Sequence, residues 1–157
     1  MRIPDLGARG QGWTLIQVVL MLAITVAGVA GPTWPGDEGW LRRGVGLLIA
    51  VAGQFLFVPG LTALGPSLTP FPRPLDGARL KIDGVYGHVR HPIYGGLILL
   101  AIGWSVITSP LTLALTVVLA LVLEVKSRLE ESMLEQRFPI YDAYRRRVRW
   151  RFIPRVH

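Results

Sequence analysis

The sequence contains no cysteine, and acidic residues are scarce: 10 Asp and Glu stand against 17 Lys and Arg in 157 residues, for a net charge of +7. Without cysteine, disulfides, thiolate metal ligands and cysteine nucleophiles are all excluded. Disorder is excluded as well, because 51% of the residues are hydrophobic and disordered chains have low hydrophobicity. The length is that of a single domain, covering residues 1–157.

Charge is also absent from three long runs, residues 13–31, 44–72 and 92–123. A helix of about 20 residues crosses a bilayer, so the first run and residues 44–65 each predict a single span. The third run has 32 residues, which is too long for one span, and a turn signal ends at Pro110. We therefore predict a hairpin of two short helices in this run.

The predicted fold class is all-α: a polytopic membrane protein with four transmembrane helices and amphipathic cytoplasmic helices at its C-terminal end. The predicted elements are helices at about 13–31, 44–65, 93–108 and 111–125, a cytoplasmic loop at 66–92 and a cytoplasmic tail at 126–157. The first run has 19 residues, more than the apolar core of about 7–15 in a signal peptide. We therefore expect a retained helix rather than a cleaved leader.

Basic residues are distributed unevenly between the two ends of this arrangement. Fifteen of the 17 fall on the side of the N-terminus, the loop and the tail. Only Arg42 and Arg43 fall on the other side, beside Asp37 and Glu38. The positive-inside rule then predicts that both termini are cytoplasmic. We expect an integral protein of a bacterial or archaeal inner membrane, in contact with membrane lipids.

Gly46, Gly53 and Gly60 recur every seven residues in the second predicted span. They fall on nearly one face, where a neighbouring helix can approach closely. Incidental glycines in a glycine-rich chain are the alternative. Gln54 is the polar residue deepest in a span, and we expect it to face protein.

Aromatic, histidine and arginine side chains crowd into residues 83–96, where the third membrane helix is predicted to begin. Pro92 suits the first turn of that helix, and the free N–H groups of a helix N-terminus can bind an anion. The simpler interpretation is a basic membrane flank followed by an N-terminal proline. Composition alone favours the simpler interpretation.

The tail is amphipathic, with apolar residues at spacings of three to five between Leu129 and Val148. Pro139 predicts that it is divided into two short helices. The arginines from Arg145 to Arg155 are typical of an anchor on anionic lipid headgroups, and they also suit a phosphate-bearing substrate. Because the membrane already accounts for this charge, we expect no nucleic-acid partner.

Two motifs and their order resemble a known family. The motifs are Arg90-His91-Pro92-x-Tyr94-x-Gly96 at the start of a membrane helix, and Glu130-Glu131-x-x-Leu134-x-x-x-Phe138-x-x-Tyr141-x-x-Tyr144 after the hairpin, followed by Ile153-Pro154. Over roughly residues 75–155, the chain resembles the integral-membrane methyltransferases that include isoprenylcysteine carboxyl methyltransferases and phospholipid N-methyltransferases. Pro139 differs from the family pattern, because family members often have glycine at this position. The difference affects the expected bend of the tail more than the cofactor site.

This resemblance implies S-adenosylmethionine as cofactor and methyl transfer to a lipid-like or other hydrophobic acceptor at the cytoplasmic membrane face. By position, it implies that the cofactor-binding residues are Arg90, His91, Pro92, Tyr94, Gly96, Glu130 and Glu131. These residue types suit the cofactor: a cation or helix N–H groups for its carboxylate, and a carboxylate for its ammonium or ribose hydroxyls. Glycine allows a ligand to approach the backbone.

Methyl transfer from a sulfonium needs no metal, and the enzyme mainly aligns the nucleophile and excludes water. A general base is needed only if the acceptor must lose a proton, so we assign no catalytic base. Tyr86, His88 and Arg147 are the candidates for contact with the acceptor.

Other interpretations are a nicotinamide-dependent membrane reductase of the sterol-reductase type and a non-enzymatic membrane scaffold. Sterol-type reductases carry a similar Arg-His-Pro-x-Tyr segment, but an acidic residue commonly follows it, where this chain has two glycines. The scaffold leaves the histidine and tyrosine cluster unexplained. For the double Glu, the simpler interpretation is an ion-paired helix face, with pairs Lys126–Glu130 and Arg128–Glu131.

Overall fold

A computed structural model describes residues 3–4, 6–36 and 39–156. The α-helices are α1 (Gln11–Ala30), α2 (Gly39–Leu64), α3 (Pro92–Thr108), α4 (Pro110–Arg137) and α5 (Tyr141–Arg147). Short 3-10 turns occupy Gly65–Ser67 and Gly84–Gly87. In the described residues, the β structure is limited to one isolated bridge between Ile153 and Val156. The all-α class is therefore confirmed.

Three helical segments are long and apolar enough to cross a membrane: Gln11–Ala30, Gly39–Ser67 and Pro110–Arg137. The α3 helix is apolar but has only 17 residues, about 25 Å at roughly 1.5 Å per residue. The prediction of a short fourth helix at 111–125 is wrong, because α4 has 28 residues. Nothing in the sequence interrupts this helix before Pro139, so it continues into what we predicted as a separate tail.

The predicted turn between α3 and α4 is confirmed. Ser109 caps α4, its side chain accepting a hydrogen bond from the backbone N–H of Thr112 at 3.1 Å, and Pro110 follows at the first position of the helix. A hydroxyl pair, Ser105 Oγ and Thr116 Oγ1 at 2.9 Å, links the two helices. Such bonds stabilise helix pairs in an apolar surrounding, so this end of the hairpin is firmly joined.

The α2 and α3 helices pack through glycines. Gly46, Gly53 and Gly60 are buried, and a Cβ on Gly53 would lie only 2.9 Å from the carbonyl oxygen of Gly96 on α3. The predicted close helix approach is therefore confirmed. The expectation that Gln54 faces protein is wrong, since its side chain is exposed. With the glycine face of α2 turned toward α3, Gln54 falls on the outer side of the helix.

The N-terminal segment, the loop after α2 and the tail meet at one end of the helices. The Thr14 hydroxyl of α1 donates to the carbonyl oxygen of Pro70 at 2.7 Å, which draws the loop against α1. Arg2, Asp37 and Glu38, which contribute to the predicted orientation, lie outside the described residues. The cytoplasmic location of this end stays a prediction.

The tail turns back toward the start of α3. Pro139 separates α4 from α5, as the sequence predicts, although the first part is the end of α4 rather than a short helix of its own. Beyond α5, the carbonyls of Trp150 and Arg151 accept hydrogen bonds from the backbone N–H groups of Arg90 and His91, at 3.0 and 2.8 Å. The two sequence motifs are therefore brought together.

Candidate active site

His91 immediately precedes α3 and is the centre of the site. Its ring is buried and stacks on the ring of Tyr94, with centroids 5.4 Å apart and an interplanar angle of 1°. Its Nε2 lies 3.1 Å from Glu131 Oε1. The hydroxyl of Tyr94 donates to Glu130 Oε2 at 2.8 Å. The first motif is thus joined to both members of the double Glu.

Arg90 connects Glu131 to the tail. Its Nε donates to Glu131 Oε1 at 2.8 Å, while its Nη1 donates to the carbonyl oxygens of Val148 and Arg149 at 2.7 and 2.8 Å. Arg151 Nε lies 3.4 Å from the same Glu131 oxygen. Only 4% of Glu131 is exposed. A carboxylate so enclosed by cations and an imidazole holds these neighbours in position.

Gly95 and Gly96, near the start of α3, make room for neighbouring parts of the chain. A Cβ on Gly95 would collide with the carbonyl oxygen of Phe152, so glycine here allows the tail to lie against α3. A Cβ on Gly96 would lie 2.7 Å from the backbone nitrogen of Phe57 on α2. Pro92 is buried at the first position of α3. Gly96 therefore has a packing contact where the resemblance implied contact with the cofactor.

A cavity of about 440 Å³ lies beside this cluster, within the range of about 300–1,000 Å³ found for small-molecule sites. Among the predicted site residues, those lining it are Tyr86, Arg90, His91, Tyr94 and Glu130. Glu131, Pro92 and Gly96 are not among the lining residues. His88 and Arg147 are exposed outside it, and Arg147 Nη2 donates to the carbonyl oxygen of Ile82 at 3.1 Å.

Tyr86 contacts the cavity and is held by the tail. Its hydroxyl donates to the carbonyl oxygen of Gly60 at 3.3 Å, and its own carbonyl accepts from the hydroxyl of Tyr144 at 2.7 Å. Burial raises the pKa of both Tyr86 and Tyr144 above the ordinary tyrosine value. Both hydroxyls therefore stay protonated at neutral pH, and Tyr86 is a hydrogen-bonding group rather than a base.

Sequence reasoning missed the opposite wall of the cavity. Lys126 of α4 is 1% exposed, and its Nζ donates to Gln17 Oε1 of α1 at 2.6 Å and to the carbonyl oxygen of Pro70 at 2.8 Å. The same nitrogen lies 5.3 Å from the centroid of the Tyr94 ring. In the sequence, Lys126 stands out only as a cation shortly after the uncharged run 92–123, where its spacing predicts an ion pair with Glu130.

The ion pairs expected along α4 do not form. Arg128 Nε donates to Glu124 at 2.8 Å rather than to Glu131. Lys126 faces α1 and the loop, so it has no ion pair with Glu130. The double Glu is therefore not a simple salt-bridged helix face.

Apolar side chains from two helices form the rest of the wall. Val18 and Met21 come from α1, and Phe57 and Leu61 come from α2. These helices flank the cavity without extensive packing on each other: α1 packs on α4 and α3, while α2 packs mainly on α3. Val18 lines the cavity and is 45% exposed. The cavity is therefore bordered by apolar side chains of both α1 and α2.

Glu130 has an oxygen available for a ligand. Its Oε2 accepts from Tyr94, whereas in the part of the chain that the structure describes, Oε1 has no hydrogen-bond partner. A carboxylate accepts two or more hydrogen bonds through each oxygen. The residues that line the cavity therefore fit a ligand with an ammonium or hydroxyl groups, as S-adenosylmethionine has.

The fold and the cavity define a class: an integral membrane protein with a cavity of small-molecule size at one end of its helices. A family described as phospholipid methyltransferase matches residues 41–140. This is more than half of the chain, which therefore belongs to the phospholipid methyltransferase family. The matched region runs from α2 through the double Glu. It includes the first motif and the second motif as far as Phe138, which confirms the resemblance. No curated protein and no solved structure matches the chain.

Proposed function

We propose that this protein transfers a methyl group from S-adenosylmethionine to a lipid-like acceptor at the cytoplasmic face of the membrane. The observation that carries the proposal is one cavity with two kinds of wall. Polar residues of both family motifs form one part, and apolar residues of α1 and α2 form the other. Methyltransferases of this family generally use S-adenosylmethionine.

The polar part suits the cofactor. Glu130 offers its unpaired oxygen to the ammonium or the ribose hydroxyls. Tyr94 fixes the other oxygen, and His91 supports Tyr94 by stacking. When bound, S-adenosylmethionine supplies a methyl group on a cationic sulfonium. Glu131 stays behind the wall, where it orients Arg90 and His91.

The apolar part suits the acceptor. A hydrophobic molecule in the bilayer reaches the cavity between α1 and α2, where the half-exposed Val18 forms part of the wall. The apolar side chains of Met21, Phe57 and Leu61 then exclude water from the reacting atoms. The exposed arginines of the tail hold this end of the protein on anionic headgroups.

The reductase alternative is not favoured, because the family that matches is one of methyltransferases. A binding experiment distinguishes the alternatives. A reductase would bind a nicotinamide cofactor, and a non-enzymatic scaffold would bind neither that cofactor nor S-adenosylmethionine.

Calorimetry of the purified protein in detergent tests the proposal with S-adenosylmethionine, S-adenosylhomocysteine and NADPH in parallel. We expect binding of the first two and none of NADPH. No heat with either sulfur compound at millimolar concentration would overturn the proposal. The acceptor is then sought by incubating lipid extracts with methyl-labelled cofactor, with mass spectrometry of the lipids. Label in a lipid fraction, absent when Glu130→Gln replaces the native protein, is the expected result.

A further inference from the structure

Arg151 of the tail faces the protein interior, unlike the arginines of α5. Its side chain is 15% exposed, whereas the side chains of Arg145 and Arg146 are 45% and 74% exposed. The exposed arginines are free to contact lipid headgroups. The guanidinium of Arg151 is enclosed by protein, so it has a different role.

The side chain of Arg151 contacts two carboxylates of α4. Its Nη1 donates to Glu124 Oε1, and its Nε lies 3.4 Å from Glu131 Oε1. Glu124 and Glu131 are seven residues apart, about two helical turns, so they lie on one face of α4. The backbone carbonyl of Arg151 accepts the N–H of His91 at 2.8 Å. One residue of the tail is therefore joined both to α4 and to the start of α3.

Charge balance does not require Arg151. Glu124 also accepts a hydrogen bond from Arg128 Nε at 2.8 Å, and Glu131 accepts one from Arg90 Nε at 2.8 Å. Each carboxylate therefore keeps a cation when Arg151 is removed. The loss of water offsets much of the attraction within a buried ion pair, so an additional guanidinium contributes little to stability.

The contribution of Arg151 is to fix the direction of a carboxylate. Three nitrogen atoms converge on Glu131 Oε1: Arg90 Nε at 2.8 Å, His91 Nε2 at 3.1 Å and Arg151 Nε at 3.4 Å. His91 in turn stacks on Tyr94, and both rings line the cavity, whereas Arg151 does not. A displacement of the Glu131 carboxylate would therefore reach the cavity wall through His91.

We infer that Arg151 is a positioning residue of the cofactor site. Glu124 holds its guanidinium, and the guanidinium fixes the carboxylate of Glu131. Glu131 then fixes the His91 ring and, through the stacking contact, Tyr94. This role rests on the proposed function and adds to its site two residues that lie outside both motifs.

The alternative is that Arg151 only fastens the tail to the helices. The bond to His91 uses the backbone carbonyl of residue 151, which remains when the side chain is replaced. Variants of the side chain therefore test the guanidinium alone.

The first test is calorimetry of S-adenosylhomocysteine binding in detergent, well below the unfolding temperature. Arg151→Met should bind this compound about tenfold more weakly, because the cavity wall is less preorganised. Arg151→Lys, which keeps the charge, should bind it more tightly than Arg151→Met. The matched control is Arg128→Met, since Arg128 contacts the same oxygen of Glu124 but is 58% exposed. The control should stay within about twofold of the native affinity. Native affinity in Arg151→Met would overturn the inference.

The second test observes His91 directly and needs no cofactor. The chain has three histidines, so His88→Gln and His157→Gln together leave His91 as the only histidine. In this background, the ring signals of nitrogen-15-labelled histidine should shift in Arg151→Met and stay unchanged in Arg128→Met. An unchanged His91 signal in Arg151→Met would overturn the inference even if affinity falls, because Arg151 would then act only by fastening the tail.

A second variant covers the case in which Arg151→Met shows no cooperative unfolding transition. Glu124→Gln then replaces it, since Arg151 loses the carboxylate that holds its Nη1. We expect about threefold weaker S-adenosylhomocysteine binding and a shifted His91 signal, and a native value in either measurement would overturn the inference. Failure of the proposed function is recognised separately, because the native protein would then bind no S-adenosylhomocysteine while the His91 signals remain readable.

Discussion

Glu130 and Glu131 meet opposite edges of the His91 ring: Glu131 Oε1 lies 3.1 Å from Nε2, and Glu130 Oε2 lies 3.9 Å from Nδ1. Successive residues of a helix are rotated by about 100°, so one carboxylate faces the cavity and the other faces the protein. We expect the two to differ in function: Glu130 binds the cofactor, and Glu131 holds Arg90 and His91 in place.

Glu130→Gln should weaken the binding of S-adenosylhomocysteine by about tenfold or more, because it removes a charged acceptor from the cavity. Its unfolding temperature should stay close to that of the native protein. Calorimetry and a thermal unfolding scan measure the two effects. Glu135→Gln, on the exposed end of α4, is the control and should change neither. Equal affinity in Glu130→Gln and the native protein would refute this assignment.

Glu131→Gln should act mainly by lowering the stability of the folded protein. Removing one charge from a buried ion pair leaves the partner uncompensated, at a cost of about 3–5 kcal/mol, and here Arg90 loses its carboxylate. We expect a clearly lower unfolding temperature, measured by thermal unfolding in detergent. If Glu131→Gln unfolds at the native temperature and only loses cofactor affinity, Glu131 contacts the ligand directly and the division of roles is wrong.

Val18→Trp should obstruct the lateral route to the cavity. The larger side chain occupies the space between α1 and α2, where Val18 is both exposed and part of the wall. Methyl transfer to a membrane lipid should fall, with KM for the lipid raised, while S-adenosylhomocysteine still binds. Val19→Trp is matched in position and exposure but does not line the cavity, and it should behave as the native protein. The same loss in both variants would contradict a lateral route.

Gly53→Ile should separate α2 from α3, since a Cβ at Gly53 already approaches the Gly96 carbonyl too closely. Overpacking of this kind costs about 1–3 kcal/mol, which a lower unfolding temperature reports. Gly44→Ile lies on the same helix, where an added Cβ meets nothing within 4 Å, and provides the control. If Gly53→Ile unfolds at the native temperature while Gly44→Ile unfolds at a lower one, packing of α2 on α3 through glycines would be contradicted.

The parts of the fold that depend on local sequence could be predicted. The turn at Ser109-Pro110, the glycine face of α2 and the break at Pro139 follow from residue type and spacing, and each is present. The α4 helix is longer than predicted, because the charged residues after Val125 continue the helix to Arg137. Charge ends a membrane span, but it does not end a helix.

The sequence predicted the part of the site that the two motifs form, but not the contacts that other segments contribute. Both motifs meet at His91, as the resemblance implied, but the packing role of Gly96 and the enclosure of Glu131 depend on α2 and the tail. Lys126 could not be found, since its partners Gln17 and Pro70 are distant in sequence and carry no motif. These contacts form only when α1, the loop at Pro70 and α4 have packed together.

The backbone bonds between the tail and the start of α3 have a consequence for how the protein is made. Arg90 and His91 depend on the main chain at Val148 to Arg151, which the ribosome adds after helices α1 to α4. The helices can therefore enter the membrane before the pocket exists. A chain stalled before Val148 would have these helices inserted but would lack the groups that hold Arg90 and His91, so ligand binding would report that translation has passed this segment.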